Sequence, residues 1–98
     1  MVTKKLLENA DVAAEFLTLM SNEKRLAIMS HLLDGEMTVG AIAEKVSLSQ
    51  SALSQHLAKL RGLDLVETRR DRQMIYYSCK SEAARRMLHT LDGIFGDA

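Results

Sequence analysis

From Val46 to Ala58 the chain carries no Asp, Glu, Lys or Arg. The polar side chains there are uncharged: Gln50, Ser51, Ser54, Gln55 and His56 stand out. All five give and accept hydrogen bonds. A glutamine amide can pair with two atoms of an adenine edge, and a serine hydroxyl can bond to several bases. A helix face that meets only water is usually dressed in Glu and Lys spaced for ion pairs. An uncharged polar face therefore predicts contact with base edges of duplex DNA. Catalysis is the competing chemistry, and it has no support. His56 follows Ser51 by five residues, off the same helical face, so no nucleophile is paired with a base. The chain has no glycine-rich phosphate loop either, and it is not expected to be an enzyme.

Positive charge lies just downstream. The whole chain is neutral, with 13 basic and 13 acidic residues. Residues 47–80 nevertheless hold Lys59, Arg61, Arg69, Arg70, Arg72 and Lys80 against Asp64, Glu67 and Asp71. Local charge, rather than the total, is what a phosphate backbone meets. Arginines at a hairpin can simply keep a sheet edge soluble. Placed shortly after a base-reading helix, Arg69, Arg70 and Arg72 are expected to project as a wing toward phosphates or a minor groove. Asn22, Arg25, Thr38, Lys59 and Tyr76 join them as residues expected to contact phosphates or support the wing.

The chain has one cysteine, Cys79, so no disulfide can form within it, and the composition suits a reducing cytoplasm. Cys79 is expected to pack as a small apolar residue near the end of a strand, with an intersubunit disulfide as the weaker alternative. His31, His56 and His89 are scattered, whereas a transition-metal site needs several donors converging. No metal or cofactor is expected.

The elements that must position these residues follow from periodicity. Lys4 to Met20 has apolar residues at helical spacing. Ser21 or Asn22 caps a second helix carrying Leu26, Ile28, Met29, Leu32 and Leu33, with Gly35 as a left-handed stop. Thr38 caps a short third helix with Ile42, Ala43 and Val46. Ser47-Leu48-Ser49 breaks the chain, and Ser49 caps a fourth helix, Gln50 to Arg61, ended by Gly62. Its apolar side is Leu53, Leu57 and Leu60. The third and fourth helices make a helix-turn-helix, whose second helix enters the major groove by its N-terminus. Leu63 to Arg70 and Met74 to Ser78 suit strands, with Asp71-Arg72-Gln73 as a hairpin tip. From Ser81 a last helix shows Ala84, Met87, Leu88, Leu91, Ile94 and Phe95 in one stripe. The expected fold is mainly α with a two-stranded β-wing, a winged helix-turn-helix in the order α-α-α-α-β-β-α.

Three stretches together resemble the ArsR/SmtB family over almost the whole chain. They are Asn22-Glu23-Lys24-Arg25-Leu26, the run from Ser49 to Arg61, and Leu65-Val66 with Arg69-Arg70-Asp71 leading to Tyr76-Tyr77. The resemblance implies a homodimer that binds an imperfect palindrome in promoters as a transcriptional repressor. It also implies a dimer interface of the first and last helices, here Phe16, Leu17, Met20, Met87, Leu88, Leu91, Ile94 and Phe95. Many relatives hold metal through two cysteines at the start of the third helix. Glu36-Met37-Thr38-Val39-Gly40 stands there, without a thiolate. Others use acidic and histidine ligands on the last helix, where Ser81, Ala83, Ile94 and Asp97 stand, so no metal-sensing site is expected. Redox-sensing relatives use two cysteines. One departure is Ser47, where the family often has glycine in the turn; serine costs a little if the backbone is left-handed there.

At 98 residues the chain is read as a single domain, residues 1–98, small enough to favour a partner subunit. Its first residues lack the apolar core of a signal peptide, and nowhere do about 18 apolar residues run together. No membrane association is expected. Two alternatives stay open: a ligand- or redox-responsive regulator of the same family, and a module that uses the helical surface to bind another protein.

Overall fold

The computed structural model describes residues 2–96. Its elements are α1 (Lys4–Glu8), α2 (Ala10–Met20), α3 (Glu23–Asp34), β1 (Met37–Thr38), α4 (Val39–Val46), α5 (Gln50–Gly62), β2 (Glu67–Asp71), β3 (Met74–Ser78) and α6 (Glu82–Leu91), with a π-helical turn at Asp92–Gly96.

One apolar core holds the helices together. Ile28, Met29 and Leu32 of α3, Ile42 of α4, and Leu53, Leu57 and Leu60 of α5 are all at most 1 % exposed. Leu19, Met20, Ala43, Val46, Leu65, Val66, Cys79 and Ala84 complete it, and no polar residue is buried among the described residues. Each fully buried aliphatic side chain contributes about 1.5–3 kcal/mol. These seven therefore dominate the stability of the α3–α4–α5 unit.

The caps fall where short polar side chains precede apolar runs. Asn22 accepts from the Arg25 amide at 3.0 Å and Thr38 from the Ala41 amide at 3.3 Å. Ser49 accepts from the Ala52 amide and Ser81 from the Ala84 amide, both at 3.1 Å. Each satisfies an amide that the helix itself leaves free.

The first helix departs from expectation. It breaks at Asn9, whose Nδ2 donates to the carbonyl of Lys5 at 3.0 Å and so competes with the helix ladder. Nothing on α1 is buried, so packing does not carry the helix across that break.

The sheet has three strands in the order β1-β3-β2, one more than expected. Met37 pairs with Tyr77 and Thr38 with Tyr76 in antiparallel register. Two residues are too few for a period to show. Thr38 can serve both strand and cap because its extended backbone (φ −79°, ψ 162°) suits either. On the other side β2 pairs with β3 from Glu67↔Ser78 to Asp71↔Met74, leaving Arg72-Gln73 alone as the turn. Asp71, expected at the tip, is the last residue of β2.

Gly62 ends α5 as expected, whereas the left-handed stop expected at Gly35 is corrected. Gly35 is extended (φ 164°, ψ 165°), not left-handed. Gly62 is the last residue of α5, and the left-handed residue is Asp64 (φ 57°). There the Leu65 amide returns to the Leu60 carbonyl at 2.9 Å. Aspartate is one of the few residues that tolerate this conformation. The last helix also differs, because its α-helical part ends at Leu91 and the π turn adds a residue to the next turn. Ile94 and Phe95 are thereby rotated off a simple α-helical projection.

Candidate nucleic-acid interface

The turn between α4 and α5 is built by local and distant contacts. Ser47 is left-handed (φ 56°, ψ 50°), the conformation that terminates α4, and its amide donates to Ala43. The Leu48 amide donates to the same carbonyl at 3.1 Å. Lys24 of α3 reaches across to donate from Nζ to the Val46 carbonyl at 2.8 Å. A cation at a helix C-terminus is favourable for the dipole as well. Lys24 had no signal in the sequence, since the carbonyl it serves lies 22 positions away.

On α5 the two faces separate cleanly. Leu53, Leu57 and Leu60 are buried, whereas Gln50, Ser51, Ser54 and Gln55 are exposed. Ser54 lies four positions from Gln50 and three from Ser51, and Gln55 lies four from Ser51, so the four form one continuous patch over the first two turns. A Cβ at Gly40 would lie 3.8 Å from Nε2 of Gln50, which places that amide beside the first turn of α4.

His56 does not join this patch. It is half-buried, and its Nδ1 accepts a hydrogen bond from Nε of Arg25 at 3.2 Å. Nη1 of Arg25 donates to the carbonyl of Leu19 at 3.1 Å. Burial, then the neighbouring Arg25, then Lys59 push the imidazole below its ordinary pKa. Nδ1 is thereby occupied, which leaves Nε2 as the ring's free nitrogen.

The wing residues also divide. Arg69 is engaged within the subunit: Nε donates to Oε1 and Oε2 of Glu36 at 3.0 and 2.8 Å, and Nη2 also bonds to Oε1. Its guanidinium lies 4.6 Å from the Tyr76 ring centre. The hydrogen bond from Arg69 holds the Glu36 carboxyl below its usual range. Arg69 thus links Glu36 to Tyr76 at the base of the hairpin. Glu36 was missed, because only the β1–β3 pairing brings it to the wing.

Arg70 steadies the tip by donating from Nε to the Arg72 carbonyl at 3.0 Å. Arg72 has a left-handed backbone (φ 60°) and an exposed side chain at the tip. Lys59 is exposed on α5. Asn22 and Thr38 are the helix caps described above.

A second surface is apolar. Leu17 is 50 %, Ile94 63 % and Phe95 76 % exposed, while Phe16, Met87, Leu88 and Leu91 are half-buried. Met20 is a correction: at 3 % exposed it belongs to the subunit's own core. Leu6, Leu7 and Val12 extend the exposed apolar area along α1 and α2. An open groove of about 460 Å³ runs between these helices and the start of α6, lined by Leu6, Val12, Phe16 and Ala83 among others.

Cys79 directly follows β3, buried at 4 %, and burial raises its thiol pKa. No three His, Cys, Asp or Glu side chains converge among the described residues. Asp97 lies outside those residues.

Residues 22–68 match the bacterial regulatory protein, arsR family. The nodulation protein NolR of Rhizobium meliloti is 58 % identical over 90 residues, covering 92 % of this chain and 74 % of that protein. The chain belongs to the ArsR family. The transcriptional activator HlyU of Vibrio cholerae is 40 % identical over 95 residues, 97 % of this chain and 88 % of HlyU. The biofilm growth-associated repressor of Xylella fastidiosa is 32 % identical over 95 residues, 97 % of this chain and 83 % of the repressor. The crystal structure of NolR from Sinorhizobium fredii superimposes with a TM-score of 0.89 at 52 % identity, over 100 % of this chain and 98 % of the other. The solution structure of the homodimeric winged helix-turn-helix domain Mb0332 from Mycobacterium bovis gives 0.78 at 26 % identity, over 96 % and 87 %. This ArsR-family chain is thus a winged helix-turn-helix protein and a DNA-binding transcriptional regulator rather than an enzyme. No helix among its described residues is long and apolar enough to cross a membrane.

Proposed function

We propose that this protein is a repressor that works in the cytoplasm as a homodimer, one domain per subunit, on an imperfect palindrome in promoter DNA. The observation that carries this reading is the exposed, uncharged patch of Gln50, Ser51, Ser54 and Gln55 at the N-terminal half of α5, backed by a fully apolar opposite face. In a helix-turn-helix that half of the second helix lies against base edges in the major groove. Lys59, Arg70 and Arg72 contact phosphates. Asn22, Thr38, Arg25, Arg69 and Tyr76 support that surface from behind.

Pairing of two subunits covers Leu17, Leu91, Ile94 and Phe95, of which Leu17, Ile94 and Phe95 are at least half exposed in the single subunit. The homodimeric Mb0332 domain supports this arrangement. Two-fold symmetry then presents two α5 helices to half-sites about 34–36 Å apart, which is why the operator is a near-palindrome. Such a dimer represses by occupying promoter DNA, and the Xylella fastidiosa relative bears the name of a repressor. Metal plays no part in release: the positions that carry cysteine pairs in other family members read Glu36-Met37-Thr38 here.

Selection of bound duplexes from random DNA, followed by affinity measurements across salt, tests the reading. A recovered near-palindrome and a steep loss of affinity with salt are expected, because phosphate contacts release counterions. Salt-insensitive binding, or no enriched sequence, would favour a protein partner instead. Placing the recovered operator ahead of a reporter tests repression directly.

A further inference from the structure

Arg25 belongs to α3 but divides its guanidinium between two other helices. Nη1 holds the Leu19 carbonyl near the end of α2, and Nε holds Nδ1 of His56 on α5. Its own amide is fixed by Asn22 at the start of α3. Three helices meet at one side chain, and one of them carries the exposed glutamine and serine patch.

We infer that Arg25 is a positioning residue that sets α5 against the end of α2, and that it does so only while His56 is neutral. This rests on α5 being the helix that reads DNA. A guanidinium offers donors and no acceptor. The bond from Nε therefore requires an unprotonated Nδ1, which leaves the single ring proton on Nε2. A second proton would set an N–H against an N–H and a cation beside a cation.

The surroundings of His56 favour the neutral state. Arg25 faces it from α3, Lys59 approaches it along α5, and burial adds to both. From α2 come the Leu19 carbonyl, already taken by Arg25, and Glu15, which lines a groove shared with Arg25 and Lys59. His56 thus titrates below its ordinary 6.5. The depressed value means that the clamp is in place above 6.5 and is lost as pH falls through the lower folded value.

The sign of the pH effect separates this role from an ordinary one. A histidine free to meet a phosphate gains charge on acidification and tightens DNA binding. A histidine that must stay neutral loosens it.

The experiment uses the full chain and a duplex selected by the wild type at neutral pH. Imidazole nitrogen NMR of the free protein reports the tautomer and titration of His56. Operator affinity is then measured from about pH 7.5 to about pH 5.5 for wild type, His56→Asn and Arg25→Lys. The wild type should show its ring proton on Nε2 and lose affinity on acidification. His56→Asn offers Oδ1 where Nδ1 stood and does not titrate, so its profile should be flat across that range. Arg25→Lys replaces a fork with a single point charge; it should weaken operator binding at neutral pH and flatten the profile. A proton on Nδ1 in the free protein at neutral pH, tighter wild-type binding in acid, or an undiminished pH dependence in His56→Asn would overturn the inference. If no duplex can be selected, the DNA-reading assignment of α5 fails, and the ring spectrum, which needs no DNA, still decides the clamp.

Discussion

Arg69 and Glu36 are 33 positions apart and form a two-pronged ion pair at the base of the wing, with Nε 2.8 Å from Oε2. The same guanidinium lies on the ring of Tyr76, its partner across the β2–β3 ladder. One arginine thereby ties the segment before β1 to both long strands. It orients the hairpin that carries Arg70 and Arg72. Both partners are exposed, so the pair acts on wing geometry more than on global stability.

This relationship gives a pH prediction. The Glu36 carboxyl titrates below its ordinary 4.5, held down first by its hydrogen bond from Arg69. Its contribution is present above 4.5 and disappears as pH falls through the lower folded value. Glu36→Gln should lower thermal stability slightly at neutral pH and show a correspondingly smaller loss in acid. Melting curves at neutral and strongly acidic pH, run side by side, check this. An identical acid profile in the variant would show that the pair contributes nothing.

Base reading and backbone attraction should respond differently to mutation. Gln55→Ala should lose roughly 1–3 kcal/mol on the selected operator and much less on random DNA. Arg72→Ala should weaken both evenly and make the salt slope shallower by about one unit. Titrations of each variant on operator and scrambled duplexes over a range of salt distinguish the two. Intact operator preference in Gln55→Ala would remove this face of α5 from base reading.

Ser47 sits in a left-handed conformation that glycine adopts without cost. Relieving it should yield about 1–2 kcal/mol, offset by about 0.4–1 kcal/mol for the freer unfolded chain. Relief is at least as large, and Ser47→Gly should be more stable by up to about 1.6 kcal/mol. The midpoint of urea unfolding measures it.

Phe95 is 76 % exposed within one subunit, so Phe95→Asp should hardly disturb the fold. Buried between two subunits, the same charge is strongly unfavourable. Sedimentation at micromolar concentration should show a dimer for wild type and a monomer for the variant. A dimeric variant would place the interface elsewhere.

Zinc, cadmium or arsenite at stoichiometric amounts should leave operator affinity unchanged. A large, reproducible loss of affinity on titrating any of them into the binding assay would reveal a ligand set among residues not recognised as one.

Much of the fold is legible in the chain because its causes are local. Asn22, Thr38, Ser49 and Ser81 each close a hydrogen bond three residues ahead, within the span a sequence pattern covers. Leu53, Leu57 and Leu60 recur at helical spacing, so the opposite, uncharged face of α5 follows from the same period. The helix-turn-helix, its polar patch and the hairpin after it were therefore determined by the sequence itself.

What remained hidden depends on segments far apart meeting. β1 has two residues and acquires strand character only by pairing with Tyr76 and Tyr77. Gly35 stood where a left-handed stop was due, yet it is extended, and after α5 the left-handed residue is Asp64. Met20 has the same apolar character as Leu17, and only its direction into the core, 3 % against 50 % exposed, separates their roles. His56 shares the polar stretch with Gln55, but only the fold brings Arg25, 31 positions earlier, to donate to its Nδ1. A sequence lists donors and acceptors, and hydrogen bonds between distant segments form only after the apolar faces have set the helices side by side. That is why the tertiary structure alone decided which polar residues stay exposed and which are held within the subunit.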